Sequence, residues 1–129
     1  MIEKVIEINK KSVLFSSIQS TYNIFEQNAE NYLIKARREG ISIIIKEVFA
    51  NGRLSSKNHK YNYEIISDMK QHSLALNQSI ENMAFLWVLQ KPWVDIVLSG
   101  ATTKTQIDEN FNCLQFLKLE LGFLKQYKL

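Results

Sequence analysis

"GISIIIKEVFANGRL", residues 40–54, decides the fold class. Ile41, Ile43, Ile44 and Ile45 put four β-branched side chains into five positions without alternation. That pattern predicts a strand over 41–46 buried on both faces, the habit of parallel sheets covered by helices. Directly upstream, Ala29, Leu33 and Ala36 repeat at i, i+4, i+7, so a helix is expected over 27–39. Gly40 then serves as its C′ residue, where a left-handed backbone costs glycine nothing. Arg37 and Arg38 fall in the last turn, where cations suit the helix dipole.

Working outward, "VLFSSIQ" (13–19) reads as a second strand. Ile2, Val5, Ile6 and Ile8 predict a short amphipathic helix over 2–9. Downstream, 47–77 is long and polar, with Asn51-Gly52, Ser55-Ser56 and Asn58, and with room for a short helix near 62–71. Loops of that length in a compact domain are usually functional or mobile. "QSIENMAFLWVLQ" (78–90) sets Ile80, Met83, Ala84, Trp87 and Val88 on one helical face, and Lys91-Pro92-Trp93 ends it. "VDIVL" (94–98) is a third strand. Thr103 and Gln106 have the spacing of a capping box, and Ile107, Asn110, Phe111 and Leu114 continue the helix it opens. The tail, 115–129, is expected to be helical.

Alternating helices and strands mean an α/β fold with a parallel sheet and right-handed crossovers. Three parallel strands, however, leave two unpaired edges. A closed eight-stranded α/β barrel needs roughly 250 residues, about twice this chain's 129. The chain is therefore either a small complete α/β domain or the C-terminal part of a barrel. In both cases residues 1–129 read as one unit. Exposed strand edges predict self-association.

Composition excludes several classes. The chain is 46% hydrophobic and 22% charged, too apolar for a disordered chain. No apolar run reaches the roughly 18 residues that cross a bilayer, and "MIEKVIEINKKS" (1–12) lacks the apolar core of a signal peptide. Cys113 is the single cysteine, which agrees with a reducing cytoplasm. The net charge of +3 is spread thinly, with only Lys10-Lys11 and Arg37-Arg38 adjacent. That is a solvated surface rather than the dense basic stripe of a nucleic-acid binder. His59 and His72 have no acidic or cysteine companions at ligand spacing, so no metal site is expected. Trp87, Trp93 and Cys113 read as packing residues.

"VDIVLSGATTKTQIDENF" (94–111) raises the sharper question. Small uncharged residues between a buried strand and a helix start have the layout of an anion socket, because unpaired N–H groups there point at the ligand. The same residues serve equally as plain helix caps.

Taken together, "FSSIQSTYNIFEQNA" (15–29), "GISIIIKEVFANGRL" and "VDIVLSGATTKTQIDENF" resemble, in order and spacing, the C-terminal half of the aldo-keto reductases. That family comprises (β/α)₈-barrel, NADP-dependent oxidoreductases, and the "KEVFANGRL" segment is similar to its bacterial and plant aldose dehydrogenase branch. Gln19 and Asn23 match the family's Gln-x-x-x-Asn at strand six, and Glu109-Asn110 its Glu-Asn after strand eight. The resemblance covers about residues 2–117 and implies strands six, seven and eight of the barrel with their helices.

The resemblance also implies a set of cofactor contacts. By it, Gln19 hydrogen-bonds the nicotinamide carboxamide. Lys46 stands where many members stack an aromatic ring on the nicotinamide. Asn51 and Gly52 let the loop after strand seven approach the pyrophosphate. Thr102, Thr103 and Gln106 face the ribose 2′-phosphate, Glu109 and Asn110 the adenine, and Gly100 belongs to the same cofactor-binding set. NADP is the expected cofactor, with NAD the alternative, because several members carry Lys, Ser or Arg where this chain has Gly100, Ala101, Thr102 or Gln106.

The family's catalytic Tyr, Lys, Asp and His lie in its first four strands. Tyr22, Tyr61, Tyr63, Asp68 and His72 do not match those motifs, so no catalytic residue is assigned. The chain is expected to be the cofactor-binding half of an oxidoreductase, inactive without a complementary N-terminal half. The alternatives are a non-catalytic dinucleotide-binding or self-associating half-barrel module, and a truncated remnant. Expected partners are thus a dinucleotide and either that half-barrel chain or further copies of this one, with no nucleic acid and no membrane.

Overall fold

The computed structural model describes residues 1–58 and 64–118. The elements in chain order are α1 (Ile2–Lys11), β1 (Ser17–Thr21), α2 (Glu30–Arg38), β2 (Ser42–Lys46), α3 (Glu64–Ala75), α4 (Ile80–Leu89), β3 (Ile96–Val97), α5 (Lys104–Cys113) and a 3₁₀ turn at Leu114–Lys118. His59, Tyr61, Tyr63, the start of the helix expected near 62 and most of the expected helical tail lie outside the described residues.

The sheet is parallel, in the order β1-β2-β3. Its register sets Gln19 beside Ile44 and Ile44 beside Ile96. Among the described residues β1 and β3 each pair on one side only, so both edges are open. No described helix is long and apolar enough to cross a membrane.

β2 departs from the expected burial on both faces. Ile43 and Ile45 are fully buried, while Ser42, Ile44 and Lys46 between them are only half-buried. Ile43 and Ile45 join a core with Ile6 of α1, Leu33 and Ala36 of α2 and Leu86 of α4. Each such isoleucine contributes about 1.5–3 kcal/mol by leaving water. The other stripe of the sheet has no such cover: Gln19 is exposed, and Ile96 and Leu98 keep 49% and 43% of their surface.

Two strand boundaries differ from the expected ones for reasons that lie in side chains. β1 begins at Ser17 because Asn9, near the end of α1, takes the preceding segment. Its Oδ1 accepts from the N–H groups of Leu14 and Phe15, and its Nδ2 donates to the Phe15 carbonyl. Val13, Leu14 and Phe15 consequently stay exposed. β3 shrinks to two residues because Asp95 turns its carboxylate into the ladder. Asp95 Oδ2 accepts from Ile43 N–H at 2.8 Å and pairs with Arg37 Nε at 3.0 Å. A side chain there replaces a backbone partner.

Local signals held at the helix ends. Gly40 has φ +84°, as the C′ position requires. Ser79 caps α4, its side chain accepting from Asn82 N–H at 3.1 Å. α4 is buried almost all round, with Asn82, Phe85 and Leu86 enclosed in addition to the expected face. A helix apolar on every side belongs inside the protein. Asn82 is satisfied there by donating to Gln78 Oε1 at 3.0 Å. α3 runs on to Ala75 and buries Ile66, Met69 and Ser73. Cys113 is buried, its Sγ donating to the Asn110 carbonyl at 3.0 Å. Burial pushes its thiol up to about 11, which makes it a poor nucleophile near neutral pH.

Candidate functional site

The loops that follow β2 and β3 come together with the N-terminal turns of α4 and α5. Between them lies a cavity of about 480 Å³, inside the range of roughly 300–1,000 Å³ usual for ligand sites. Gly52, Gly100, Thr103, Gln106, Glu109 and Asn110 line it, and all six are candidates on sequence grounds. Phe49, Ser55, Ser56, Lys57 and Glu81 line it too. Gln19, Lys46, Asn51 and Thr102 do not.

The loop after β2 is wound tightly. Glu47, Ala50, Asn51 and Gly52 have φ of 57°, 51°, 55° and 83°. Asn and Gly tolerate that left-handed region, whereas Glu and Ala each sit there at a cost of about 1–2 kcal/mol. Such strain persists only where surroundings enforce it, and it gathers at ligand sites. Here the enforcement is visible. Ala50 N–H donates to the Glu47 carbonyl at 2.9 Å and Gly52 N–H to the Phe49 carbonyl at 3.0 Å. Buried Asn23 donates from Nδ2 to the Glu47 carbonyl at 3.0 Å. Arg53 closes the turn, with Nε donating to the Ala50 carbonyl at 2.9 Å, Nη2 pairing with Glu26 at 2.9 Å and the guanidinium lying 4.6 Å from the Phe25 ring centre. Arg53 is thereby committed to the scaffold.

The helix start at 103 is capped by its own side chains. Thr103 Oγ1 accepts from Gln106 N–H at 3.3 Å. Gln106 Oε1 accepts from Thr102 N–H at 2.8 Å and from Thr103 N–H at 3.3 Å. The capping box is complete, and it consumes backbone donors that an anion would use. Gly100, at φ +63°, makes the turn just before it. Glu109 is exposed and Asn110 half-buried along the same helix.

Gln19 and Lys46 lie elsewhere, on the sheet. Gln19 is exposed on the stripe shared with Ile44 and Ile96. Lys46 ends β2 opposite Thr21, its Nζ 3.5 Å from Glu47 Oε1. Tyr22 is spent on structure. Its hydroxyl donates to Glu30 Oε2 at 2.9 Å, and burial first, then Glu30, hold the phenol well above its ordinary pKa.

Glu81 was invisible in the sequence as a site residue. In the first turn of α4 an acid is ordinary dipole pairing. In the structure Glu81 Oε1 accepts from Ser56 N–H at 2.8 Å, Ser56 Oγ at 2.8 Å and Ser55 Oγ at 3.1 Å. Its Oε2 is buried with no hydrogen-bond partner. Such oxygens are uncommon in folded proteins. The contact spans 25 residues, beyond any local motif.

Comparison with known proteins agrees with this architecture. The sequence model for the "Aldo/keto reductase family" matches residues 1–126. The aldo-keto reductase AKR11C1 from Bacillus halodurans is similar in its holo form at TM-score 0.70 and 20% identity, over 95% of this chain and 44% of that one. Its apo form gives 0.72 and 22%, over 95% and 45%. The chain thus spans less than half the length of those structures. No curated protein matches it.

Proposed function

The chain belongs to the aldo/keto reductase family, and from that membership we propose that it is the cofactor-binding part of a nicotinamide-dependent oxidoreductase. Its three strands correspond to strands six to eight of the (β/α)₈ barrel. The observation that carries the reading is the cavity between the loops after β2 and β3. α/β barrels bind ligands at the C-terminal ends of their strands, phosphates most often beyond strands seven and eight.

The chain's own residues have definable tasks in this reading. The left-handed turn at Asn51-Gly52 exposes backbone beside the pyrophosphate. Thr103 and Gln106 hold the helix start rigid next to the ribose. Glu109 and Asn110 meet the adenine, and Gln19 offers its amide to the nicotinamide carboxamide. When bound, the dinucleotide supplies the hydride. Proton transfer to the carbonyl oxygen needs an acid, which this reading places in a complementary half-barrel. Among the described residues Tyr22 is buried on Glu30 and Cys113 is buried, so neither serves. Titrating the chain with NADH and NADPH, followed by the reduced nicotinamide's fluorescence, is expected to saturate. Carbonyl reduction by the same sample is expected to stay at background. Absence of binding by both would sink the reading; robust turnover would sink its inactive half.

A specific observation favours an association role beside this one. The sheet face carrying Ile44, Ile96 and Leu98 is uncovered, and among the described residues both sheet edges are open. Edges and apolar stripes of that kind pair with other chains. In this reading a complementary half-barrel covers the face, and copies of this chain cover it when that half is missing. Size-exclusion chromatography with light scattering is expected to give a dimer or larger. A stable monomer at micromolar concentration would rule this out.

A further inference from the structure

The cavity's charge does not suit a phosphorylated ribose. Among its described lining residues Lys57 is the cation, and Glu81 and Glu109 are carboxylates. The sum is one negative charge. Residues 100–102, Gly-Ala-Thr, add no cation, and Lys104, next along the helix, pairs with Asp108 at 2.6 Å. At the helix start the Thr102 and Thr103 N–H groups are already bonded to Gln106 and are not available to an anion.

Glu81 is the better-fixed of the two carboxylates by its hydrogen bonds. Three serine donors pin Oε1, while Oε2 is shut away from water without a donor. A carboxylate partly withdrawn from water is screened less than a fully exposed one. We propose that Glu81, supported by Glu109, makes this cavity select a dinucleotide with a free ribose 2′-hydroxyl, NAD, over its 2′-phosphorylated form, NADP. The inference rests on the dinucleotide reading above. The phosphate would bring roughly −1.5 to −2 further charges to a cavity that is already negative. A ribose diol instead brings O–H donors, which suit a cavity lined by acceptor-only carboxylates.

The test is calorimetric titration of the 129-residue chain with NAD and with NADP, so that affinity is read without turnover. NAD is expected to bind about tenfold or more tightly, with the gap narrowing as salt is raised. Glu81→Gln is expected to recover about tenfold for NADP with a smaller change for NAD. Should that variant unfold, Glu109→Gln removes a like charge from an exposed position, with the same direction expected. NADP binding as tightly as NAD, or a selectivity ratio unmoved in a folded variant, overturns the proposal. Binding of neither dinucleotide removes the site itself, and the selectivity with it.

Discussion

Trp87→Ala is expected to cost about 3–5 kcal/mol, the range for deleting a buried aromatic. Against a total of roughly 5–15 kcal/mol for an ordinary domain, that is at least about a fifth of the stability. Trp87 is 2% exposed. It stacks on Tyr22 with ring centres 5.3 Å apart and planes within 12°. Tyr22 meets Trp93 edge-on at 4.9 Å, and Lys91 Nζ sits 4.3 Å from the Trp87 ring centre. Offset stacks and edge contacts add about 0.5–1.5 kcal/mol beyond burial. The cluster joins the end of β1, the last turn of α4 and the turn that leads into β3, so its loss separates elements far apart in the chain. Urea denaturation followed by circular dichroism measures the cost. Trp87→Phe keeps a ring against Tyr22 and should lose less. A loss under about 1 kcal/mol for Trp87→Ala would show that the cluster does not hold these elements together.

Asn23→Leu is expected to lose about 1–3 kcal/mol, as two part-buried hydrogen bonds to backbone groups, each contributing about 0.5–1.5 kcal/mol, are removed. Asn23 is fully buried. Its Nδ2 donates to the Glu47 carbonyl at 3.0 Å, and its Oδ1 accepts from Phe25 N–H at 3.0 Å. Leucine has similar bulk and supplies neither contact. The effect should also reach the candidate site, because Glu47 is the first of four left-handed residues, with Ala50, Asn51 and Gly52, in the loop after β2. With that anchor gone the strained turn relaxes, and dinucleotide affinity is expected to fall further than stability alone explains. Denaturation and titration of the same sample separate the two losses. Unchanged affinity in a destabilised but folded variant would mean that Asn23 holds the fold and not the turn.

Much of the fold was legible because its signals act over a few residues. Gly40, the isoleucine run and the Thr103–Gln106 box each specify a helix end or a strand from within a few neighbouring positions. The match of residues 1–126 to the family agrees with the resemblance seen in three stretches, although 20–22% identity to the solved structures leaves most side chains different. The neighbours in the candidate cavity were legible in part. Gly52, Gly100, Thr103, Gln106, Glu109 and Asn110 line one cavity because they flank two strand ends that the register brings side by side. Gln19 and Lys46 belong to the sheet itself, where alternation turns them away from that cavity.

The linear order could not contain contacts whose two halves lie far apart in the chain. Asn9 shortened β1 from across a turn, and Asp95 shortened β3 by reaching Ile43, 52 residues away. Glu81 looked like an ordinary first-turn acid until Ser55 and Ser56 closed on it. The isoleucines of β2 state their hydrophobicity plainly, yet not how many faces have something to cover them. Residue type and local spacing dictated which segments became helices and strands. Packing decided which strand face stayed open, which donors a helix cap consumed and which carboxylate oxygen was buried, because burial and pairing exist only once distant segments meet.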